Sequence, residues 1–212
     1  MADSMGFLIW SEVPVYWEDI DYADAGTLEL ARNMVEAMVD RDATRAGVVL
    51  WSVANETPQT EDRLAFLRTL IAAVRRIATP VLRHRILTNF AAEAAGVTWE
   101  SPWGKPVVMS EFGAGSVAGL RGPASERWTE EYHADLLDQT LAVASRTPFV
   151  AGASVWVLKD FRSPRRWHPR YQAFWNRKGL FSETGARKLG ADVEAIETVH
   201  ADVEAGTPRR LR

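Results

Sequence analysis

Three short apolar runs in this chain each end in a glutamate: Gly6-Phe-Leu-Ile-Trp-Ser-Glu12, Gly47-Val-Val-Leu-Trp-Ser-Val-Ala-Asn-Glu56 and Pro106-Val-Val-Met-Ser-Glu111. A short run of Val, Ile, Leu and Trp reads as a strand buried on both faces. A carboxylate at its end stands where the chain leaves the core, with a rigid sheet behind it and solvent ahead. Enzymes built on parallel sheets put acids, bases and nucleophiles at that place. Two such glutamates facing one cavity are the minimum equipment for breaking a glycosidic bond.

Between the runs the apolar spacing turns helical. Leu28, Ala31, Met34, Val35, Met38 and Val39 share one face, and Leu64, Leu67, Leu70, Ile71, Val74 and Ile77 share another. Thr57-Pro58 is the predicted start of the second helix, Thr57 as N-cap and Pro58 at the first helical position. A third helix is predicted from about Ser125 to Ser145, with Trp128, Tyr132, Leu136, Leu137, Leu141 and Ala144 on one side. A last one carries Leu189, Val193, Ile196 and Val199. Arg85–Phe90 and Val150–Leu158 add two strand candidates, making five. Strands alternating with helices of this length indicate βαβ units and a parallel sheet. Residues 1–205 read as one domain and 206–212 as a disordered tail.

Composition narrows the function. The chain has 212 residues, 47% hydrophobic and 25% charged, enough for one core. A net charge of −3 with no clustered basic face gives no footprint for nucleic acid or an anionic membrane. No apolar stretch reaches the roughly 18 residues of a membrane span. Met1–Met5 lacks the basic and apolar regions of a signal peptide, so a cytoplasmic location is expected. Without cysteine, disulfides and thiolate chemistry are excluded. The four histidines show no paired-ligand spacing, so no metal is expected.

Asn55-Glu56 closes a strand ahead of a helix. Beside a Trp-lined strand end, desolvation would raise the Glu56 pKa and suit it to act as a general acid. Glu111 precedes Phe112-Gly113-Ala114-Gly115. Gly113-x-Gly115-x-x-Ala118 formally fits a dinucleotide fingerprint, but Gly119, Gly122 and Pro123 break the helix that should follow. Glu12 suits a supporting, hydrogen-bonding role. His133 reads as a packed or solvated helix residue. Trp175-Asn-Arg-Lys-Gly179 is either a solvated basic turn or a loop whose amide and two cations clamp an anion.

In order along the chain, five segments resemble glycoside hydrolase family 2, in its β-glucuronidase-like branch. They are Gly6-Phe-Leu-Ile-Trp-Ser-Glu-Val-Pro14, Trp51-Ser-Val-Ala-Asn-Glu56, Ser110-Glu-Phe-Gly-Ala114, Val155-Trp156 with Asp160-Phe-Arg162, and Trp175-Asn-Arg-Lys-Gly-Leu-Phe181. The resemblance implies an α/β fold, the (β/α)8 TIM barrel, and a retaining exo-glycosidase. It matches Glu56 to the general acid/base and Glu111 to the nucleophile. Asn55 matches the partner of the sugar 2-hydroxyl, Trp156 the floor of the sugar site, and Asn176 with Lys178 the pair associated with the glucuronate carboxylate. The two carboxyl groups should stand about 5–5.5 Å apart. The implied substrate is a β-glycoside, and no cofactor is required.

The family pattern also leads us to expect an incomplete barrel. A barrel typically takes about 250 residues. The family's first two barrel strands and preceding domains have no counterpart before Gly6, and the 91–105 segment is too short for its sixth strand and helix. Thr44-Arg-Ala-Gly-Val48 replaces the usual lead into the fourth strand. An open sheet leaves unpaired edges that favour a homo-oligomer. Three alternatives stay open: a β-galactosidase, a β-mannosidase, or a truncated non-catalytic remnant that keeps the motifs.

Overall fold

A computed structural model of the chain describes residues 3–17, 20–77 and 107–193. The chain divides into two compact units, Met1–Arg83 and His84–Arg212, each with its own apolar core.

In the first unit a 3-10 turn, Asp3–Met5, leads into β1 (Ile9–Glu12), α1 (Ala25–Asp42), β2 (Val48–Ser52) and α2 (Glu61–Ile77). β1 and β2 are parallel, with Glu12 level with Ser52, and α1 is the crossover that parallel pairing requires. α1 starts at Asp24, whose Oδ2 accepts the Thr27 N–H at 2.6 Å. That bond holds the Asp24 pKa below its usual value. Ala31, Val35, Met38 and Val39 bury one face of α1, while Met34 lies at its edge and is 40% exposed.

α2 opens one turn later than predicted. Thr60 Oγ1 accepts the Arg63 N–H at 3.2 Å and so acts as the cap. Thr57 Oγ1 instead accepts from the Arg63 guanidinium at 2.9 Å. Glu61 and Asp62 then fill the first turn, where the helix dipole favours negative charge. Phe66, Leu70, Ala73 and Val74 join the buried face of α1, with Trp51 and Val53 packed against them. The strands are less enclosed than their composition suggests, since Val49 is 46% exposed. The helices pack on Trp51 and Val53 and leave Val49 uncovered.

The second unit holds β3 (Val107–Phe112), α3 (Glu130–Arg146) and β4 (Val150–Val155), again a parallel pair joined through a helix. α3 opens only at Glu130, because Thr129 Oγ1 accepts the Tyr132 N–H at 3.1 Å. No helix follows the Gly113–Gly115 turn directly, so the geometry of a dinucleotide fingerprint is missing. A two-residue antiparallel pair, β5 (Phe161–Arg162) and β6 (Trp175–Asn176), and a 3-10 turn, Leu189–Asp192, complete the described unit. The β5–β6 pair was not predicted; two residues per strand carry no readable alternation. The strand candidate Arg85–Phe90, the 91–105 segment, Ile196, Val199 and the 206–212 tail lie outside the described residues. No helix among the described residues is long and apolar enough to cross a membrane.

Leu70 is fully buried between α1 and α2. Leu70→Ala should destabilise the first unit by about 2–5 kcal/mol. Exchange of the exposed Ala72 for Ser should change it by less than about 1 kcal/mol. Urea unfolding followed by circular dichroism measures both.

Candidate active site

At the C-terminal end of the first strand pair the chain segments stay in register beyond the strands. Val13 N–H donates to Ser52 O at 3.4 Å, Asn55 N–H to Val15 O at 2.9 Å, and Trp17 N–H to Asn55 O at 3.3 Å. These bonds carry Asn55 and Glu56 out on a supported loop. Glu56 is exposed, not enclosed as expected, and the Trp17 indole N–H donates to its Oε2 at 2.7 Å. Its φ is +47°, a left-handed conformation that costs a non-glycine residue on the order of 1–3 kcal/mol and clusters at functional sites. Glu12 accepts the Ser52 hydroxyl at 2.6 Å. Neighbouring protein atoms desolvate its carboxyl and raise its pKa, and the Ser52 bond opposes the rise.

Glu111 is the penultimate residue of β3 and is half-buried. Phe112 is level with Val155, and Trp156 N–H donates to Phe112 O at 2.8 Å, so Trp156 leaves β4 beside the end of β3. The Trp156–Val157 peptide is cis. A Cβ at Gly113 would stand 2.8 Å from Trp156 O, and the φ there is +143°. Only glycine lets the two strand ends approach this closely.

The Trp175–Gly179 loop reaches the same edge. Val157 N–H donates to Lys178 O at 3.1 Å, and Ser116 N–H to Arg177 O at 2.9 Å. Asn176 is buried and pairs with Phe161, and its Oδ1 accepts the Lys178 N–H at 3.3 Å. Four of the six proposed site residues, Glu111, Trp156, Asn176 and Lys178, therefore lie on adjoining backbone segments of the second unit. Asn55 and Glu56 belong to the first unit.

Arg177 departs from the expected cation cluster. Its guanidinium turns inward, with Nη1 3.4 Å from Asp160 Oδ2 and paired also with Glu183, and its side chain is 13% exposed. Asp160 in turn takes the Gly179 N–H at 2.8 Å and Lys188 Nζ at 2.9 Å on Oδ1. Lys188 is fully buried. Burial lowers its pKa from the usual lysine value, with the hydrogen bond and charge of Asp160 opposing.

His133 is fully buried on α3, its Nδ1 3.0 Å from Ser116 Oγ. Its Nε2 is buried without a hydrogen-bond partner among the described residues. Burial, helped by the Lys188 charge, pushes its pKa down to about 3, so the ring is neutral. His133, expected to be packed or solvated, is packed, whereas Asp160, Lys188 and the Trp17 contact to Glu56 were assigned no role from sequence. Their partners lie 11 to 72 residues away, beyond any local pattern. No group of three or more His, Asp or Glu that could hold a metal ion occurs among the described residues.

No family model matches the chain. In sequence it is similar to a β-glucuronidase of Paenibacillus borealis, 26% identical over 244 aligned positions that cover 90% of this chain and 39% of the relative. It is 24% identical to a β-glucuronidase of Homo sapiens, over 90% of this chain and 35% of that one. In fold it is similar to Bifidobacterium dentium β-glucuronidase complexed with coumarin-3-O-glucuronide, with a TM-score of 0.78 and 20% identity over 100% of this chain and 39% of that chain. A family 2 β-galacturonidase from Eisenbergiella tayi bound to galacturonate gives a TM-score of 0.76 at 18% identity, over 94% of this chain and 42% of that one. The chain thus spans about two fifths of the length of these relatives.

The buried neutral imidazole makes a pH signature. Unfolded, His133 takes up a proton near pH 6.5; folded, only near pH 3. Between those values the unfolded chain holds the extra proton. Its contribution to stability is full above pH 6.5 and is lost at about 1.4 kcal/mol per pH unit as pH falls through the window. Urea titrations at pH 7 and pH 5, above most carboxylate titration, should show this slope in the second unit, and His133→Gln should flatten it.

Proposed function

We propose that this chain, which resembles β-glucuronidases of glycoside hydrolase family 2 in sequence and fold, supplies the active-site portion of a retaining exo-glycosidase acting on β-glucuronides, and that its βαβ units are part of a (β/α)8 barrel. One observation carries this reading: the ends of β3 and β4 and the Asn176–Lys178 loop are hydrogen-bonded side by side. A carboxylate, an indole, an amide and an ammonium thereby border one edge of a parallel strand pair. Active sites on such sheets form at the C-terminal strand ends.

The chemistry is double displacement. A Glu111 oxygen bonds to the anomeric carbon as the bond to the aglycone oxygen breaks, and Glu56 gives that oxygen its proton. Glu56, now a carboxylate, takes a proton from water, whose oxygen displaces Glu111 and leaves the configuration retained. The Trp17 indole N–H orients the Glu56 carboxylate for both transfers. Asn55 bonds the sugar 2-hydroxyl and Trp156 floors the ring. Asn176 and Lys178 take the uronate carboxylate, the amide as oriented donor and the ammonium as point charge. Arg177, engaged with Asp160 and Glu183, is outside this clamp.

A chromogenic aryl β-glucuronide tests the reading directly on the purified chain. Glu111→Gln should lower turnover by on the order of 10³-fold or more. No turnover in the unsubstituted chain would favour the non-catalytic remnant; turnover abolished by Glu111→Gln would exclude it. Lys178→Ala should cut kcat/KM for the glucuronide by roughly 10–100-fold, the worth of a charge-assisted hydrogen bond. Neutral β-galactosides and β-mannosides should be spared. Equal loss on the neutral substrates would remove the carboxylate clamp and leave galactosidase or mannosidase specificity.

A further inference from the structure

Lys178 is held through its neighbours. Arg177 O accepts from Ser116 N–H at 2.9 Å and from Lys188 Nζ at 3.2 Å. Gly179 N–H donates to Asp160 Oδ1 at 2.8 Å. A Cβ at Gly179 would stand 2.3 Å from Asp160 N and 2.5 Å from Phe181 O, so the backbone after Lys178 lies directly on the Asp160 segment. Lys178 itself gives its N–H to Asn176 and takes the Val157 N–H on its carbonyl. The residues before and after Lys178 are thus tied to buried groups, and one ammonium is common to them.

That ammonium is Lys188. Its Nζ donates to Ser116 O at 2.8 Å, Asp160 Oδ1 at 2.9 Å and Arg177 O at 3.2 Å. A lysine has three N–H donors, and all three are engaged. The acceptors come from the segment that continues β3 beyond Glu111, from the segment that continues β4 beyond Trp156, and from the loop that carries Asn176 and Lys178. They lie 72, 28 and 11 residues from Lys188 in sequence. Backbone bonds join these segments in pairs, Ser116 N–H to Arg177 O and Asp160 N–H to Phe181 O; among the described residues, the buried cation is the one side chain that ties all three together.

We propose that Lys188 is a positioning residue for uronate recognition: it fixes the Asn176–Lys178 loop against the segment that follows Glu111. This rests on the glucuronide reading of the site. Lys188 touches no substrate. A buried cation with directed acceptors holds geometry that a loop of mixed polar and apolar residues would not hold unaided.

The test uses the full chain with Lys188→Met, and with Asp160→Asn/Lys188→Met, which leaves no uncompensated charge at this position. Amide hydrogen exchange is read over 113–118, 175–181 and α3, and NMR titrations with sodium D-glucuronate and with D-glucose give the two affinities. The expected result is faster exchange in 113–118 and 175–181 together, with α3 still protected. Glucuronate affinity should fall on the order of tenfold while glucose affinity stays unchanged, as for a lost charge-assisted contact. Unchanged exchange in either segment, equal loss for both sugars, or retained glucuronate preference overturns the positioning role alone. Loss of α3 protection in both variants makes Lys188 a residue of the fold and overturns it too. An unsubstituted chain without any glucuronate preference overturns the proposed function, and this inference with it.

Discussion

The second unit depends on an ammonium taken out of water. Burying an isolated charge costs several kcal/mol even after relaxation, and the cost is offset only where hydrogen bonds and a counter-charge replace hydration. Lys188 meets that condition with two carbonyl oxygens and one carboxylate oxygen. Asp160 meets it with Lys188, Arg177 and the Gly179 N–H. Removing either partner would strand the other, so each constrains the segments that supply the remaining contacts. The segments beyond the ends of β3 and β4 are tied to one another by these contacts.

The first unit is organised differently. Its core is apolar, built from the faces of α1 and α2, and its strand-end loop is held by backbone bonds between Val13–Trp17 and Ser52–Asn55. Strain is concentrated at the end of that ladder. Trp17 and Glu56 both have positive φ and are joined through the indole and the carboxylate. A carboxylate on an exposed, strained turn would ordinarily sample several rotamers; the indole N–H gives it one preferred orientation. Exposure is also compatible with the acid/base role proposed for Glu56, in which it would meet a departing group and then water.

The parts of this architecture that repeat locally could be read from residue order. Apolar runs marked β1 to β4, and the 3.6 period marked the faces of α1, α2 and α3. Helix starts were less legible, because Thr57 and Thr60 both offer a cap and only Arg63, whose N–H goes to one and whose guanidinium to the other, separates them. Six candidate site positions could be named from motifs, but not the groups packed around them. Trp17 and Glu56 are 39 residues apart, and Ser116 and Lys188 are 72 apart. No periodicity spans such distances, and a lysine in Ala186-Arg-Lys-Leu189 looks like a solvated one.

Arg177 and Lys178 show how neighbouring cations take different work. The guanidinium is planar and presents several donors, so one side chain can join Asp160 and Glu183 while its face lies over Trp175, 5.5 Å from the ring centroid. That geometry suits a fixed internal joint. An ammonium has no preferred plane and accommodates a carboxylate from several directions, which would suit the uronate contact proposed for Lys178. Turning Arg177 inward also matters electrostatically. Asp160 and Glu183 offset the charges of Arg177 and Lys188, so these buried cations add little net field to the site edge. On the proposed reading, Lys178 would supply the contact that distinguishes a uronate carboxylate from a hydroxymethyl group.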